Sequence, residues 1–412
     1  MSIENKNTSK IEGYISKFSY SINEDINLYL NIPDNNIKIN VYNYFNGFDN
    51  PFYSFETNGK IQTLEKLSFA EGCKWDKTTS FKINDTWESG LYIIKLLSDT
   101  DSFFIPFIIK NPNKTNFLIL MNTNTWQAYN NYGGASYYRY NCKFNSKYGK
   151  KGKIRPGSSV VTFDRPNPII SKEVKDKIKN YRKNIQYKSH LFYGEMYLLE
   201  WLHKNNYSYN LISDRDLHDE YPIQNYNCLI LNCHPEYWTP NMVNNVTKNA
   251  KNIISLGGNV AYRKINFNSH KMIKNNLWNP NTLKNITGSY FTDYDADTYS
   301  PYKIINKHSW VFKEINIKPI FGNKTLNSSV GKNGCSGHET DKCIIHPKYI
   351  IARGMNIGKN RHYSGGGDIL YFITGKRKIF SVGSITYTGG LYTDKIIEKI
   401  TKNVINYFSI SK

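Results

Sequence analysis

The chain has 412 residues, 54 Lys plus Arg against 33 Asp plus Glu, a formal net charge of +21, and 15% aromatic residues with 33 Tyr. A chain of this length buries a core without staples, its aromatic content argues against disorder, and the lack of any run of about 20 apolar residues excludes a membrane-spanning helix. At about 150 residues per domain the length suits two or three domains.

A basic balance can signal nucleic acid or an anionic surface. Here the excess is mostly Lys, spread along the chain among Asn, Ile and Tyr, densest in 143–155 and 172–188. No finger, RRM or KH signature accompanies it, so no specific nucleic-acid partner is expected. Residues 1–13 (MSIENKNTSKIEG) lack the apolar stretch of a secretory leader. Cysteines stand at 73, 142, 228, 233, 335 and 343 with no CxxC pair, which predicts reduced thiols in a cytoplasmic protein.

In chain order, segments 11–19, 26–32, 37–44, 79–83, 90–97 and 103–110 are rich in β-branched and aromatic residues and separated by polar turns. Short strands at this spacing predict a β-sandwich over 1–112. Residues 111–113 (NPN) mark its end. Residues 113–412 read as an α/β domain. Continuous apolar runs at 117–121 and 228–231 predict strands buried on both faces. Residues 195–204 have helical spacing, and Thr239-Pro240 forms an N-cap followed by Pro at the first helical position. A helix to about residue 251, a strand at 253–256, paired strands at 369–374 and 378–382 and a closing helix at 393–408 complete the pattern of an open parallel sheet covered by helices. Residues 265–350 are Asn-rich and read as a long insertion.

Sites in open parallel sheets lie beyond the carboxyl ends of the strands. The residues there are 122–138 (NTNTWQAYNNYGGASYY) and 232–238 (NCHPEYW). If both strands share one sheet, Tyr129, Tyr138, His234 and Glu236 can meet at one edge. Two phenols and a carboxylate are hard oxygen donors suited to a ferric ion, which can polarise a carbonyl and activate water. His234 can orient water or donate to an oxyanion. The plainer alternative is that the tyrosines are loop aromatics and Glu236 caps the helix starting at Thr239. A Cys233 nucleophile is a further alternative, but strand–nucleophile–helix elbows need small flanking residues, and Asn232 and His234 flank Cys233. Asp293, Asp295 and Asp297 lack the Gly and Glu of a calcium loop, with Thr298 and Ile304 in those places. Gly365-Gly366-Gly367 lacks a P-loop ending and reads as a turn.

Seven ordered segments resemble the large (beta) subunit of N,N-dimethylformamidase. They are 14–20 (YISKFSY) ahead of Glu24-Asp25-Ile26, 126–138, 200–202 with 214–218 (DRDLH), 234–238 (HPEYW), Gly257-Gly258-Asn259 with Arg263, 337–341 (GHETD) and 380–386 (FSVGSIT). The resemblance covers essentially the whole chain. It implies a second domain like class I glutamine amidotransferases without their cysteine, and a mononuclear iron held by Tyr129, Tyr138 and Glu236. It gives His234 a catalytic or nearby supporting role, makes Glu339 an acid/base candidate, and implies a small amide substrate. Tyr129 and Tyr138 are only nine residues apart (138 − 129), where the family has a long insertion, which puts substrate specificity in doubt. The chain is also much shorter than the family's large subunit, which leaves open whether it pairs with a small partner subunit or with itself. Three readings result: an iron-dependent amide hydrolase, a non-enzymatic binding protein with an aromatic groove for a glycan or peptide, and a Cys233-dependent amidotransferase-like hydrolase. In the first, the excess charge lies outside an aromatic, nearly neutral pocket.

Overall fold

The computed structural model describes residues 10–34, 36–99, 101–110, 115–138, 157–291, 297–357 and 366–410. It is a mixed α/β protein with several sheets. The chain forms two compact units. The first comprises Met1–Asn113, Thr123–Tyr181 and Ile265–Asn275, and the second Lys114–Asn122, Arg182–Lys264 and Asn276–Lys412. The expected linker at 111–113, Cys142, Asp293, Asp295, Gly365 and the basic stretch 143–155 fall outside the described residues.

The first unit contains a three-stranded sheet, ordered Glu12–Ile15, Asp25–Asn31, Thr79–Lys82, and a five-stranded sheet, ordered Ser19–Ser21, Ser102–Lys110, Gly90–Leu97, Asn36–Asn43, Tyr53–Asn58. Both present alternate residues to one core, in which Ile26, Leu28 and Leu30 of the first sheet join Ile39, Val41, Ile94 and Leu96 of the second. This is the period-two burial of a sandwich. The run 11–19 is broken into two strands, and Tyr53–Asn58 is an edge strand, largely exposed, that lacks a clean apolar alternation. The unit also carries the helix Thr123–Tyr129, the strand Val160–Thr162 and the helix Pro168–Lys179. In that last helix the Asn167 side chain caps the N-terminus by accepting from the Ile170 amide.

The second unit is built on a nine-stranded sheet. Its order is Tyr209–Ser213, Phe117–Met121, Cys228–Cys233, Ile253–Gly257, Arg377–Ser381, Asp368–Thr374, Ile350–Gly354, Tyr302–Ile304, Ile320–Phe321. The first five strands are parallel. The remaining four run antiparallel to their neighbours, beginning with the pair Leu370↔Ser381. The sheet is therefore mixed rather than all parallel. The reason lies in the connections: Gly375 with φ 57° makes a tight hairpin between Thr374 and Arg377, and only a long crossover can join parallel neighbours. The parallel strands 117–121 and 228–233 are buried at every residue, as expected for strands covered on both faces. Helices Phe192–Lys204, Pro240–Asn249 and Lys395–Ser409 fall close to their expected bounds. Thr239 caps the second of them, its side chain accepting from the Met242 amide. The supposed insertion is a set of short strands, among them Ser289–Phe291 paired with Asp341–Cys343.

Candidate functional site

The candidate groups in the second unit sit where two adjacent parallel strands end. Cys228–Cys233 and Ile253–Gly257 pair in parallel up to Cys233↔Gly257, so their following loops emerge side by side. The first carries His234 and Glu236, and the second carries Asn259. A third segment, 337–341, brings Glu339 and Asp341.

His234 is completely buried. Its Nδ1 donates to the Gly258 carbonyl oxygen at 3.1 Å, and its Nε2 donates to Glu236 Oε2 at 3.1 Å. Glu339 Oε2 lies 3.6 Å from the same Nε2. Burial acts to lower the imidazole pKa, but the Glu339 charge and the hydrogen bond and charge of Glu236 outweigh it and raise it to about 9. An imidazole with a carbonyl on one nitrogen and carboxylates on the other is held as a two-proton donor. Glu236 is 4% exposed and bonded to His234, while the helix that follows has Thr239 as its N-cap. Glu339 is partly open, with a side chain 22% exposed, and accepts from Asn259 Nδ2 at 2.8 Å.

The loops that hold these groups use left-handed backbone at non-glycine residues: Cys233 (φ 57°), Asn259 (φ 54°), Ala261 (φ 46°) and His338 (φ 66°). Such conformations cost of order 1–3 kcal/mol each and persist only where surrounding bonds enforce them. Asp341 supplies some of those bonds. It is 1% exposed and accepts the amides of Asn259 at 2.6 Å and Val260 at 3.4 Å. The imidazoles of His190 and His338 extend the cluster edge-to-face, with ring centroids 5.4 Å from His190 to His234 and 5.0 Å from His190 to His338. Burial pushes His190 well down and His338 to about 3, so both are neutral beside a charged His234. His190 lies outside every segment that sequence reasoning singled out, and His338 lies inside 337–341 but was not itself a candidate.

Cys233 has the left-handed turn of a nucleophile elbow although its sequence neighbours are not small. The room comes from elsewhere. A Cβ on Gly194 would lie 2.9 Å from Cys233 Sγ, and one on Gly257 would collide with the Cys233 carbonyl. The thiol is nonetheless fully buried, packed toward Gly194 in the helix Phe192–Lys204. None of Cys73, Cys228, Cys233, Cys335 and Cys343 is disulfide-bonded among the described residues. Asp297 bridges Lys188 (2.7 Å) and Lys332 (2.9 Å), which is ion pairing rather than ligation. Gly366 and Gly367 pack tightly against Asn356, Ser336 and Gly383.

Tyr129 and Tyr138 belong to the first unit. Tyr129 ends the helix Thr123–Tyr129 and is 6% exposed. The chain then turns through Gly133 (φ 76°) and Gly134 (φ 98°), and a Cβ at Gly133 would strike Ser68 and Phe69. The amide of Tyr137 donates to the Ala128 carbonyl at 3.0 Å. This closure returns Tyr138 onto Tyr129, with ring centroids 4.2 Å apart and planes at 29°. The nine-residue spacing thus forms a compact turn that stacks the two phenols.

Within the first unit the stacked pair Tyr129 and Tyr138 carries phenol oxygens, hard donors of the kind a trivalent ion takes; the Glu236 carboxylate belongs to the second unit. Among the described residues there is no group of three or more His, Cys, Asp or Glu placed to hold a metal.

Comparison with known proteins gives the following. The profile of the family described as N,N-dimethylformamidase beta subunit-like, C-terminal, matches residues 53–401. The N,N-dimethylformamidase beta subunit of Alcaligenes sp. is 22% identical over 191 residues, covering 41% of this chain and 24% of that protein. The match therefore spans about a quarter of the relative's length. Among solved structures, a ThuA-like protein from Bacteroides uniformis aligns with 54% of this chain and 89% of its own at 16% identity and a TM-score of 0.33. The family profile spans most of the chain, and this chain belongs to the N,N-dimethylformamidase beta subunit-like family.

Proposed function

We propose that the protein hydrolyses a C–N amide bond of a small linear amide, releasing a carboxylate and an amine. The observation that carries this reading is His234, buried and held as a proton donor between Glu236 and Glu339 at the end of a parallel strand. Amides are poor electrophiles with poor leaving groups, so their hydrolysis needs carbonyl activation and a proton for the departing nitrogen. In this reading Glu339, partly open to solvent and bonded by Asn259, takes a proton from an attacking water. His234 gives one to the leaving amine and is recharged from Glu339. The water oxygen adds to the carbonyl carbon, the C–N bond breaks, and the proton passes from water to nitrogen.

In this reading the stacked pair Tyr129 and Tyr138 of the first unit would bind a ferric ion. When bound, that ion supplies Lewis-acid activation of a carbonyl oxygen and acidifies water. Support comes from the stacked phenols described above. The same reading takes the second unit as amidotransferase-like in plan, supported by its five parallel strands with candidate groups at the carboxyl ends. It also admits a small partner subunit and a cytoplasmic location, where free thiols stay reduced.

The test is direct. The purified protein is analysed for metal, scanned for a visible tyrosinate-to-iron band, and assayed for amine release from simple formamides and acetamides. A colourless protein that gains no band on ferric addition sinks the metal assignment. Tyr129→Phe retaining full iron refutes that ligand. Iron-loaded protein with no amine release from any simple amide refutes the hydrolase reading.

A further inference from the structure

The first unit contains a buried cation that the proposed chemistry does not use directly. Arg165 is 2% exposed. Its guanidinium meets five main-chain carbonyls: Nε donates to Thr162 at 3.1 Å, Nη1 to Tyr132 at 2.7 Å and Ala135 at 3.0 Å, and Nη2 to Asn130 at 3.0 Å and Gln127 at 3.5 Å. Four of the five lie in 127–135, and three of these, Asn130, Tyr132 and Ala135, lie between Tyr129 and Tyr138. A buried charge is costly unless its donors are satisfied. Here they are satisfied by the carbonyl ends of one helix and the turn after it, where a cation is electrostatically favoured. The side chains of Gln127 and Asn130 complete the knot: Asn130 Nδ2 donates to Gln127 Oε1 at 2.7 Å and to the Pro166 carbonyl at 3.0 Å, and Gln127 Nε2 donates to the Thr162 carbonyl.

We propose that Arg165 is a positioning residue whose five-point grip on the 127–135 backbone sets the stacked geometry of Tyr129 and Tyr138 and hence their competence as a ligand pair. Its value as a ligand-setting device rests on the iron reading, but its control of the stack does not. Lysine cannot replace it, because an ammonium has three donors and no fork. Arg165→Lys keeps the charge and loses the geometry.

Four full-length proteins are compared: wild type, Arg165→Lys, Tyr138→Phe and the double variant. Ferric ion is the probe. Iron affinity and the visible band are measured in loaded protein, and the near-ultraviolet tyrosine circular dichroism in iron-free protein. Arg165→Lys is expected to stay folded by far-ultraviolet dichroism, to shift the band, and to lose at least about tenfold in iron affinity, the scale typical of removing a support behind a metal ligand. Adding Tyr138→Phe should then cost much less than it does in wild type, because coupled positions are non-additive. In iron-free protein, Tyr138→Phe should change the tyrosine dichroism of wild type and leave that of Arg165→Lys nearly unchanged. If wild type binds no iron, the ligand reading fails while the dichroism still decides the Arg165 proposal. A folded Arg165→Lys protein with wild-type band, affinity and dichroism, or fully additive effects, overturns it. If Arg165→Lys does not fold, Gln127→Ala loosens the same knot, and an unchanged band and dichroism in that variant overturn the proposal.

Discussion

Replacing Asp341 with Asn probes how the turn beneath Glu339 is held. The carboxylate accepts the amides of Asn259 and Val260, and Asn259 in turn holds Glu339. Burial raises the Asp341 pKa from 3.8 to about 7; the two amides and His234 oppose the rise, and Glu339 adds to it. A carboxyl that keeps its proton longer in the folded state makes that state bind more protons between its two pKa values. Stability contributed by Asp341 is therefore present below pH 3.8 and is lost as pH rises toward about 7. At about 1.4 kcal/mol per pKa unit the loss has a ceiling on the order of 4 kcal/mol. Asparagine cannot ionise and escapes it, but it turns an NH2 group toward one amide and forfeits about 1–3 kcal/mol of hydrogen bonding. That forfeit is nearly constant with pH, whereas the ionisation cost is not. Taking half the ceiling, the melting temperature of the variant relative to wild type should climb by about 2–3 °C between pH 4 and pH 8 for a chain of 412 residues. Thermal unfolding followed by circular dichroism at several pH values measures the gap. Parallel curves, or a gap that moves the other way, would refute the reasoning.

Gly194→Ala places a Cβ 2.5 Å from the Ser189 carbonyl and 2.9 Å from Cys233 Sγ; we expect a loss of about 1–3 kcal/mol in urea unfolding, and an unchanged midpoint would contradict the close packing. Cys233→Ala should retain most amide turnover, because the thiol is fully buried; a folded variant with no turnover would revive the cysteine-nucleophile reading. Glu339→Gln should lower kcat by about 10²–10⁴-fold with little change in KM, and a change confined to KM would remove Glu339 from proton transfer.

Much of the fold was legible because its signals are local. Asp25–Asn31 (DINLYLN) alternates, Phe117–Met121 is uniformly apolar, and Thr239-Pro240 announces a helix start; each property is written in a few consecutive residues. Tyr53–Asn58 was not legible, since an edge strand needs no buried face on most of its residues. The mixed character of the sheet was hidden too, because strand direction follows from connection length and not from strand composition. The candidate groups His234 and Glu236 could be picked out on a segment beside a strand end and Glu339 only through the family resemblance, but the turns that aim them could not. Those turns place Cys233, Asn259, Ala261 and His338 in left-handed backbone, against their own preference, and the glycines that make room for Cys233 come from positions 194 and 257. A pattern that requires small residues beside the nucleophile is blind to small residues supplied across space.

The basic excess shows the same limit from the other side. A count of 54 Lys and Arg suggests surface charge, and summed charge says nothing about where any one cation sits. Most surface ion pairs here, such as Lys17 with Glu24 or Lys60 with Asp76, are exposed and individually worth little. Arg165 is different: it is buried, satisfied entirely by carbonyls, and wrapped by the turn that joins the two tyrosines. The expectation that the charge lies apart from the aromatic segment therefore fails at one residue, and that residue is the one with structural leverage on the stacked phenols. Net charge was the least informative property of the sequence about chemistry, while the desolvation cost of a single buried cation, offset by five oriented dipoles, is among the most informative properties of the structure.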